Sequence, residues 1–181
     1  MGCLPHSRTR ARELCSVKLI AQILLRHTVI MKRIRVLLAD DNRLLRKEFR
    51  KILDLENDLE VVGEAKNGHE AVVMVKELRP EIILMDVAMP LMDGLSATRQ
   101  ILKASPGVRI LMFSEDGEEA YVEAALNSGS LGYLIKQTCA DNVCQAIRTV
   151  HQGKIFLSPS ISSQLKKRRW SKKTARVQSP G

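Results

Sequence analysis

Short apolar segments alternate with longer amphipathic segments through most of the chain. Five segments have the apolar run or the alternation typical of a strand, and a segment with apolar positions at helical spacing follows each of them. The predicted strands are Ile34–Ala39, Leu59–Ala65, Glu81–Asp86, Val108–Ser114 and Leu131–Ile135. The predicted helices extend from Asn42 to about Leu55 and over His69–Leu78, Leu95–Ala104, Glu118–Asn127 and Ala140–Gln152. Five strands and five helices in alternation predict a doubly wound α/β fold around a parallel sheet.

Several polar or turn-forming residues mark where the predicted elements begin and end. Asn42 has the side chain of a helix N-cap, and Pro80 ends the second helix because the residue before a proline disfavours the α conformation. Asn67 and Gly68 predict a turn after the second strand. No glycine-rich phosphate loop follows the first strand, so the sequence argues against a dinucleotide-binding fold.

The segment Ile82–Asp86 is the most informative part of the chain. Four apolar residues precede Asp86, a pattern typical of a strand buried on both faces of a parallel sheet. In open α/β sheets the functional crevice lies outside the carboxyl ends of the strands, where Asp86 is placed. An aspartate there could also start a turn or cap a helix. Asp86 is therefore a candidate functional residue whose role depends on its neighbours.

Other predicted strands end in polar residues at the same edge of the sheet. Asp40 and Asp41 follow the first strand, Ser114 ends the fourth, and Lys136 follows the fifth. Neighbouring carboxylates repel one another and require a cation, and oxygen ligands of this kind suit Mg²⁺. A hydroxyl group and an ammonium group opposite them could hold the oxygens of a phosphoryl group. The set predicts a site that binds Mg²⁺ and a phosphoryl group.

These residues lie in sequence stretches that resemble a known family. VLLADDN, ILMDVAMPLMDG, ILMFS and GYLIK occur in the order and at the separations of the receiver domain of two-component response regulators. The resemblance extends from about Lys32 to Gly153 and continues through KIFLSPSIS, which is similar to the linker of LuxR-type (NarL-like) regulators. It implies a flavodoxin-like fold, with five helices and with five strands in the order 2-1-3-4-5.

The resemblance also implies a role for each carboxylate of the candidate site. Asp86 would be the phospho-acceptor. Asp41, Asp86 and the backbone carbonyl of Ala88 would bind Mg²⁺ directly, and Asp40 would assist through a water molecule. Asp40 has a simpler alternative, since it could cap the first helix.

Three further residues would contact the phosphoryl group or respond to it. The resemblance implies that Lys136 and Ser114 contact the phosphoryl oxygens. It makes Ser114 and Tyr133 the switch that changes the face formed by the fourth helix, the fifth strand and the fifth helix. Structural alternatives stay open for all three, since Ser114 could be a turn residue, Lys136 a solvated lysine and Tyr133 a core residue.

The chain departs from the family pattern at three places. Glu115 follows the switch serine where the family tends to have a small or neutral residue, and its carboxylate should repel an incoming phosphodonor. Gln137 follows Lys136 where many receivers have proline, although LuxR-type receivers often lack that proline. After Ser163 the resemblance predicts a four-helix DNA-binding domain, but the remaining residues cannot form a recognition helix. We therefore expect a truncated regulator or a stand-alone receiver.

Charge is distributed unevenly along the chain. The formal net charge is +9 over 181 residues, but residues 1–31 carry +4, residues 32–163 carry −2 and residues 164–181 carry +7. We expect residues 1–31 to be an N-terminal extension that is weakly ordered or results from a non-native start. We expect residues 32–153 to be the receiver domain and residues 154–181 to be a linker and a disordered basic tail. Specific DNA binding is not expected, although the tail could contact nucleic-acid phosphates non-specifically.

Two other features of the composition indicate the cellular setting. The four cysteines show neither metal-ligand spacing nor a paired pattern, so we expect reduced thiols. No run of apolar residues is long enough for a membrane helix, and we expect a cytoplasmic protein without membrane contact.

The sequence as a whole predicts a receiver-type switch and not an enzyme that acts on an external substrate. Asp86 would take a phosphoryl group from a histidine kinase or a phosphotransfer protein, with Mg²⁺ required, and a homodimer could form. The alternatives are a degenerate receiver that acts as a phosphorylation-independent interaction module, and a truncated transcriptional regulator that contacts DNA through its tail. A Mg²⁺-dependent phosphatase is disfavoured, because Ala88 stands where a second catalytic aspartate would be.

Overall fold

The computed structural model describes residues 32–115, 117–137 and 140–163, and of residues 140 and 141 it describes the backbone alone. The described residues from Arg33 onwards belong to one compact unit. The predicted N-terminal extension, residues 1–31, and the predicted basic tail, residues 164–181, lie outside the described residues. None of the described helices combines the length and the apolar character that crossing a bilayer requires.

Parallel strands alternate with helices through the described chain. The strands are β1 (Ile34–Ala39), β2 (Leu59–Ala65), β3 (Ile82–Asp86), β4 (Arg109–Ser114), β5 (Gly132–Ile135) and β6 (Phe156–Leu157). The helices with described bounds are α1 (Arg43–Asp54), α2 (Gly68–Leu78), α3 (Gly94–Ala104), α4 (Glu119–Asn127) and α5 (Ala140–His151). Neighbouring strands are parallel, and the sheet order is β2-β1-β3-β4-β5-β6. The predicted doubly wound α/β fold and strand order are confirmed, with one more strand beside β5.

The additional strand lies in a segment for which the sequence predicts a linker. The N–H groups of Phe156 and Ser158 donate to backbone carbonyls in and just before β5, both at 3.0 Å, and so they extend the sheet. Residues 159–163 are helical, and the side chain of Ile161 is buried. Residues 156–163 are thus part of the folded unit, a difference from the predicted linker. A two-residue strand is too short to leave a periodic pattern in the sequence.

Two apolar layers cover the two faces of the sheet. Side chains alternate along the inner strands, so that in β3 Ile83 and Met85 face one layer and Ile82 and Leu84 face the other. All five residues of β3 are buried, as the apolar run predicts for a central parallel strand. Packing on both faces therefore holds the end of β3, and with it Asp86, in a fixed position.

Side chains cap the helices that begin near the carboxyl edge of the sheet. The Oδ1 atom of Asn42 accepts hydrogen bonds from the N–H groups of Leu44 and Leu45, which confirms Asn42 as the N-cap of α1. Asn67 caps α2, so this helix begins where the sequence predicts a turn. Asp93 caps α3 in the same way. These caps satisfy N–H groups that the helices leave unpaired and set the lengths of the loops after β1, β2 and β3.

Candidate functional site

Four parallel strands end around one open cleft. The cleft has a volume of about 360 Å³ and lies at the carboxyl edge of β1, β3, β4 and β5. It is lined by Asp41, Asp86, Val87, Ala88, Ser114, Glu115, Tyr121 and Lys136. Five of the seven residues predicted for the site are among them. The other two, Asp40 and Tyr133, are buried and do not line the cleft.

The three predicted aspartates form one acidic cluster. One carboxylate oxygen from each lies within 4.8 Å of those from the other two. Asp40 and Asp86 are buried, and Asp41 is exposed. The Oδ1 atom of Asp40 accepts a hydrogen bond from the N–H of Asn42 at 2.7 Å, while Asn42 itself caps α1. The structural alternative, in which Asp40 caps this helix, is therefore excluded.

Lys136 follows β5 and reaches two of these carboxylates. Its Nζ atom lies 2.9 Å from the Oδ2 atom of Asp86 and 2.9 Å from the Oδ2 atom of Asp40. Burial by itself lowers the pKa of the Lys136 ammonium, but hydrogen bonding and attraction to Asp86 and Asp40 outweigh burial, so the pKa is raised. Lys136 is therefore a charged group held inside the site and not a solvated lysine.

The pKa of Asp86 is raised above that of an ordinary aspartate. Burial of the carboxyl group is the largest cause; the hydrogen bond from Lys136 opposes it, and the charge of Asp40 adds to it. The N–H of Ala88 donates to the Oδ1 atom of Asp86 at 3.3 Å and also favours the ionised form. Ionised Asp86 is thus less stable here than in water, and additional positive charge in the cleft would be favourable.

The donor set of the acidic cluster fits a divalent cation. Three carboxylates lie close together, and two of them, Asp40 and Asp86, contact the Lys136 ammonium. The buried Oδ2 atom of Asp40 accepts no well-aligned hydrogen bond from the described residues. Carboxylate oxygens are the ligands that Mg²⁺ prefers. Asp41 and Asp86 line the cleft and could hold an ion directly, whereas Asp40 lies deeper. Ala88, whose backbone carbonyl the resemblance implies as a further ligand, also borders the cleft.

Ser114 and Lys136 are joined through the backbone of neighbouring strands. Ser114 ends β4 with a buried side chain, and its carbonyl accepts a hydrogen bond from the N–H of Lys136 at 2.7 Å. Tyr133 in β5 is fully buried, in the same apolar layer as Val122 and Ala125 of α4. Tyr133 therefore lies where a core residue would lie, and its role as a switch stays a prediction.

Some residues that shape the cleft leave no recognisable signal in the sequence. Tyr121 of α4 lines the cleft with a side chain that is 44 % exposed. Arg46 of α1 donates from Nη1 to the backbone carbonyl of Asp40 at 2.6 Å and so supports the loop after β1. Both positions result from how separate parts of the chain pack together. Glu115 does border the cleft, as its position in the sequence suggests, and it is exposed.

The start of α3 packs closely against the end of β3. The N–H of Gly94 donates to the carbonyl of Val87 at 2.9 Å. A Cβ atom at Gly94 would lie 2.0 Å from the backbone oxygen of Asp86. Backbone atoms cannot turn aside as a side chain can, so this approach requires glycine. Asp93 and Gly94 mark a helix start in the sequence, but only the structure reveals the close contact.

Comparison with known proteins identifies relatives for the folded part of the chain. Residues 36–148 match the family model of the response regulator receiver domain. Relatives include the transcriptional regulatory protein LnrK of Bacillus subtilis, 36 % identical over 132 residues, and the response regulator GacA of Pseudomonas protegens, 38 % identical over 132 residues. Both matches cover 73 % of this chain, and they cover 60 % of LnrK and 62 % of GacA. The chain thus spans about six-tenths of the length of these curated relatives.

Solved structures share the backbone fold. A two-component response regulator of the LuxR family from Aurantimonas sp. SI85-9A1 superposes with a TM-score of 0.73 at 30 % identity, over 76 % of this chain and 99 % of that chain. The signal receiver domain of the response regulator NarL from Mycobacterium tuberculosis superposes with a TM-score of 0.66 at 31 % identity, over 68 % of this chain and 99 % of that chain. The likeness therefore extends from sequence to three-dimensional structure.

Proposed function

The chain belongs to the family of response regulator receiver domains, and from this premise we propose that Asp86 accepts a phosphoryl group from a phosphohistidine donor, with Mg²⁺ held by the acidic cluster. One observation carries the proposal. Asp86 is buried at the end of β3, with its Oδ2 atom 2.9 Å from Nζ of Lys136 and with two further aspartates beside it. Because Asp86 also lines an open cleft, a donor can approach it.

The proposed transfer breaks one bond to phosphorus and forms another. A carboxylate oxygen of Asp86 attacks the phosphorus of the donor, and the P–N bond to the donor imidazole breaks. The imidazole leaves with the bonding electron pair and takes up a proton. The product is an acyl phosphate on Asp86. Hydrolysis by water later returns the carboxylate and releases inorganic phosphate.

Cationic groups stabilise the charge on the phosphoryl oxygens during this transfer. Mg²⁺, when bound by Asp41 and Asp86, supplies positive charge to these oxygens. The Lys136 ammonium, already 2.9 Å from Asp86, provides a second cationic contact. The hydroxyl of Ser114, whose residue lines the same cleft, would donate a hydrogen bond to a phosphoryl oxygen.

Phosphorylation would alter the packing behind the cleft. The new negative charge on Asp86 would draw Ser114 and Lys136 toward the phosphoryl oxygens. Tyr133 and α4 lie in one apolar layer, so a shift of β4 and β5 would reach both of them. We propose that the face formed by α4, β5 and α5 changes between two packings and that another protein reads the change.

The cellular setting is part of the same proposal. We propose a cytoplasmic protein that receives its phosphoryl group from a histidine kinase or a phosphotransfer protein and performs no reaction on an external substrate. Because one of the named relatives, LnrK, is a transcriptional regulatory protein, we propose an output in transcription through contact with another protein. That protein could be a second copy of this chain.

Phosphate incorporation from a small-molecule phosphodonor tests the proposal. We expect the wild-type protein to be modified only when Mg²⁺ is present, as measured on a phosphate-affinity gel, and Asp86→Asn to remain unmodified. Asp93→Asn is the matched control, because Asp93 is an exposed aspartate in the loop after β3 that caps α3. It should be modified like the wild type. Modification that persists in Asp86→Asn would refute the assignment of the acceptor.

Glu115 favours a second candidate function. Its carboxylate borders the cleft and adds negative charge where an anionic donor enters, which would slow phosphorylation. Under this alternative the domain is an interaction module that acts without phosphorylation. An unmodified wild-type protein that still binds Mg²⁺ would support the alternative. Glu115→Gln would then be the first variant to examine for restored incorporation.

A further inference from the structure

Ser158 joins the segment after α5 to the strand that precedes Lys136. Its side chain is 2 % exposed, which is unusual for a serine unless its hydroxyl is hydrogen-bonded. The Oγ atom of Ser158 accepts a hydrogen bond from the N–H of Ile135 at 3.1 Å, and the N–H of Ser158 donates to the carbonyl of Tyr133 at 3.0 Å. One residue therefore holds the end of β5 through two hydrogen bonds.

These hydrogen bonds lie one peptide away from the candidate site. On the β6 side of β5, Ser158 holds the N–H of Ile135, and on the β4 side the carbonyl of Ser114 holds the N–H of Lys136 at 2.7 Å. Together they fix the direction in which the Lys136 side chain leaves the strand. From there Nζ reaches the acidic cluster at 2.9 Å.

The rest of the segment is anchored in the core. The carbonyl of Ser158 accepts a hydrogen bond from the N–H of Ser162 at 2.9 Å, which starts the helical turn at residues 159–163. The side chain of Ile161 is 1 % exposed and lies in the same apolar layer as Tyr133. Residues 154–163 therefore dock on the sheet as a unit, through the backbone of β5 and through this layer.

We infer that Ser158 is a positioning residue for Lys136 and that docking of residues 154–163 on β5 is coupled to the phosphoryl group on Asp86. The inference rests on the proposed function and extends it. A phosphoryl group that binds Lys136 favours the arrangement of β5 that Ser158 stabilises. By thermodynamic reciprocity, a docked segment then favours phosphorylation.

The position of the Lys136 ammonium tests the inference without any phosphotransfer. The variant is Ser158→Ala, and the control is Ser163→Ala, whose hydroxyl bonds within the segment to the carbonyl of Pro159. NMR of protein labelled in its lysine side chains, with Lys136 assigned from Lys136→Arg, reports this position. We expect the Lys136 signals to move toward those of a solvated lysine in Ser158→Ala and to stay unchanged in Ser163→Ala.

The rate of phosphate incorporation provides a second readout. Since the proposed Mg²⁺ ligands are aspartates, Ser158→Ala should leave Mg²⁺ affinity unchanged. It should slow incorporation about tenfold, because a displaced ammonium no longer meets the phosphoryl oxygens. A residue with a merely structural role would lower the stability of the protein without changing the rate for each folded molecule.

The outcomes separate this inference from the proposed function. Unchanged Lys136 signals in folded Ser158→Ala would overturn the inference, whether or not wild-type protein is phosphorylated. A wild-type protein that takes up no phosphate would refute the proposed function, and the Lys136 signals would still decide the positioning role.

A measurement on wild-type protein replaces the variant if Ser158→Ala does not fold. We expect the N–H groups of Ile135 and Ser158 to exchange with solvent more slowly after Mg²⁺ and beryllofluoride, an analogue of the phosphoryl group, are added. Unchanged exchange at both positions would overturn the coupling.

Discussion

Single residues at the carboxyl edge of the sheet form a set of charges that do not balance. Three carboxylates lie close together with one ammonium, that of Lys136, in contact with two of them, and burial raises the pKa of Asp86 even though Lys136 opposes this effect. Burial and the charge of Asp40, which would favour a cation beside Asp86, therefore make ionised Asp86 unfavourable in the metal-free fold. Such a conflict between stability and function is common at functional sites.

Asp86→Asn should stabilise the metal-free protein at neutral pH. Ionised Asp86 is unfavourable in the folded state, and asparagine has a similar shape without the charge, so the free energy of unfolding should rise by an amount on the order of 1 kcal/mol. Urea unfolding of both proteins in the presence of a chelator measures the gain. Equal stability of the two proteins at neutral pH would contradict this account.

The pH dependence of that gain has a definite sign. An unperturbed aspartate has a pKa of 3.8, and the pKa of Asp86 in the folded state is raised above it. At a pH between the unperturbed pKa and the raised pKa, the folded protein therefore binds more protons than the unfolded chain. The contribution of Asp86 to the stability of the wild-type protein therefore falls as pH rises through this interval. The difference in free energy of unfolding between Asp86→Asn and wild type should reach its maximum above the interval and be absent below pH 3.8.

Contacts between the ends of helices and strands keep the cleft in shape. Gly94 places the start of α3 against the end of β3, and Arg46 of α1 holds the carbonyl of Asp40. At the other end of the molecule, Arg148 of α5 binds Glu56 and Asp58, which precede β2. The contacts of Gly94 and Arg46 join elements that are neighbours in sequence, whereas those of Arg148 join residues 90 or more positions apart.

Gly94→Ala should destabilise the protein by about 3 kcal/mol, toward the upper end of the cost of overpacking. The added Cβ would lie 2.0 Å from the backbone oxygen of Asp86, so α3 or the end of β3 must move. Gly107→Ala is the control, because no atom beyond its two chain neighbours lies within 4 Å of its added Cβ. Urea unfolding measures both variants. A similar loss in both would show that the contact with Asp86 is not the cause.

Arg148→Met should lower the free energy of unfolding by about 1 kcal/mol at neutral pH, since the ion pairs that it removes are half-exposed. The hydrogen bond from Arg148 is the main reason that the pKa of Asp58 is lowered from 3.8. The stability contributed by Asp58 is thus present above pH 3.8 and is lost as pH falls through the lowered pKa.

The effect of Arg148→Met should therefore shrink in acid and at high salt. Lys103→Met, on the exposed surface of α3, is the control and should have little effect at any pH. Urea unfolding across a pH series measures both variants. A loss in Arg148→Met that is independent of pH and salt would indicate that packing of the arginine stem, and not its charge, is responsible.

The order of strands in the whole sheet determines which residues meet at the cleft. With β3 between β1 and β4, Asp86 lies beside the aspartates that follow β1 and beside Ser114. Because all strands are parallel, their carboxyl ends share one edge, and β5 brings Lys136 to it. The site therefore exists only in the folded domain.

Mg²⁺ should stabilise the whole domain, because the folded state assembles the carboxylates and the unfolded chain does not. At a free Mg²⁺ concentration of about 100 times Kd, the gain in free energy of unfolding should be about 2.7 kcal/mol. Asp41→Asn should reduce the gain, whereas Glu60→Gln, on an exposed position of β2, should leave it intact. Urea unfolding at increasing Mg²⁺ measures this. An unfolding midpoint that does not depend on Mg²⁺ would argue against an ion at the acidic cluster.

The elements, their class and the set of polar residues at one edge of the sheet can all be predicted from the sequence. Apolar periodicity is a local property, so it predicts β1 to β5 and the helices that follow them. The residue type of Asn42 predicts the N-cap of α1. The convergence of Asp40, Asp41 and Asp86 also follows from sequence, since parallel strands end at a common edge. The resemblance to receiver domains added the strand order and the expected role of each residue.

The contacts that these residues make with one another are visible only in the three-dimensional structure. It places the Lys136 ammonium between Asp40 and Asp86, buries Tyr133 in the core and docks the segment around Ser158 against β5. These features depend on contacts between residues far apart in the chain. The pKa of Asp86 likewise depends on burial and on neighbouring charges. Neither is a property of the local sequence, because both arise from packing of the complete sheet and its helices.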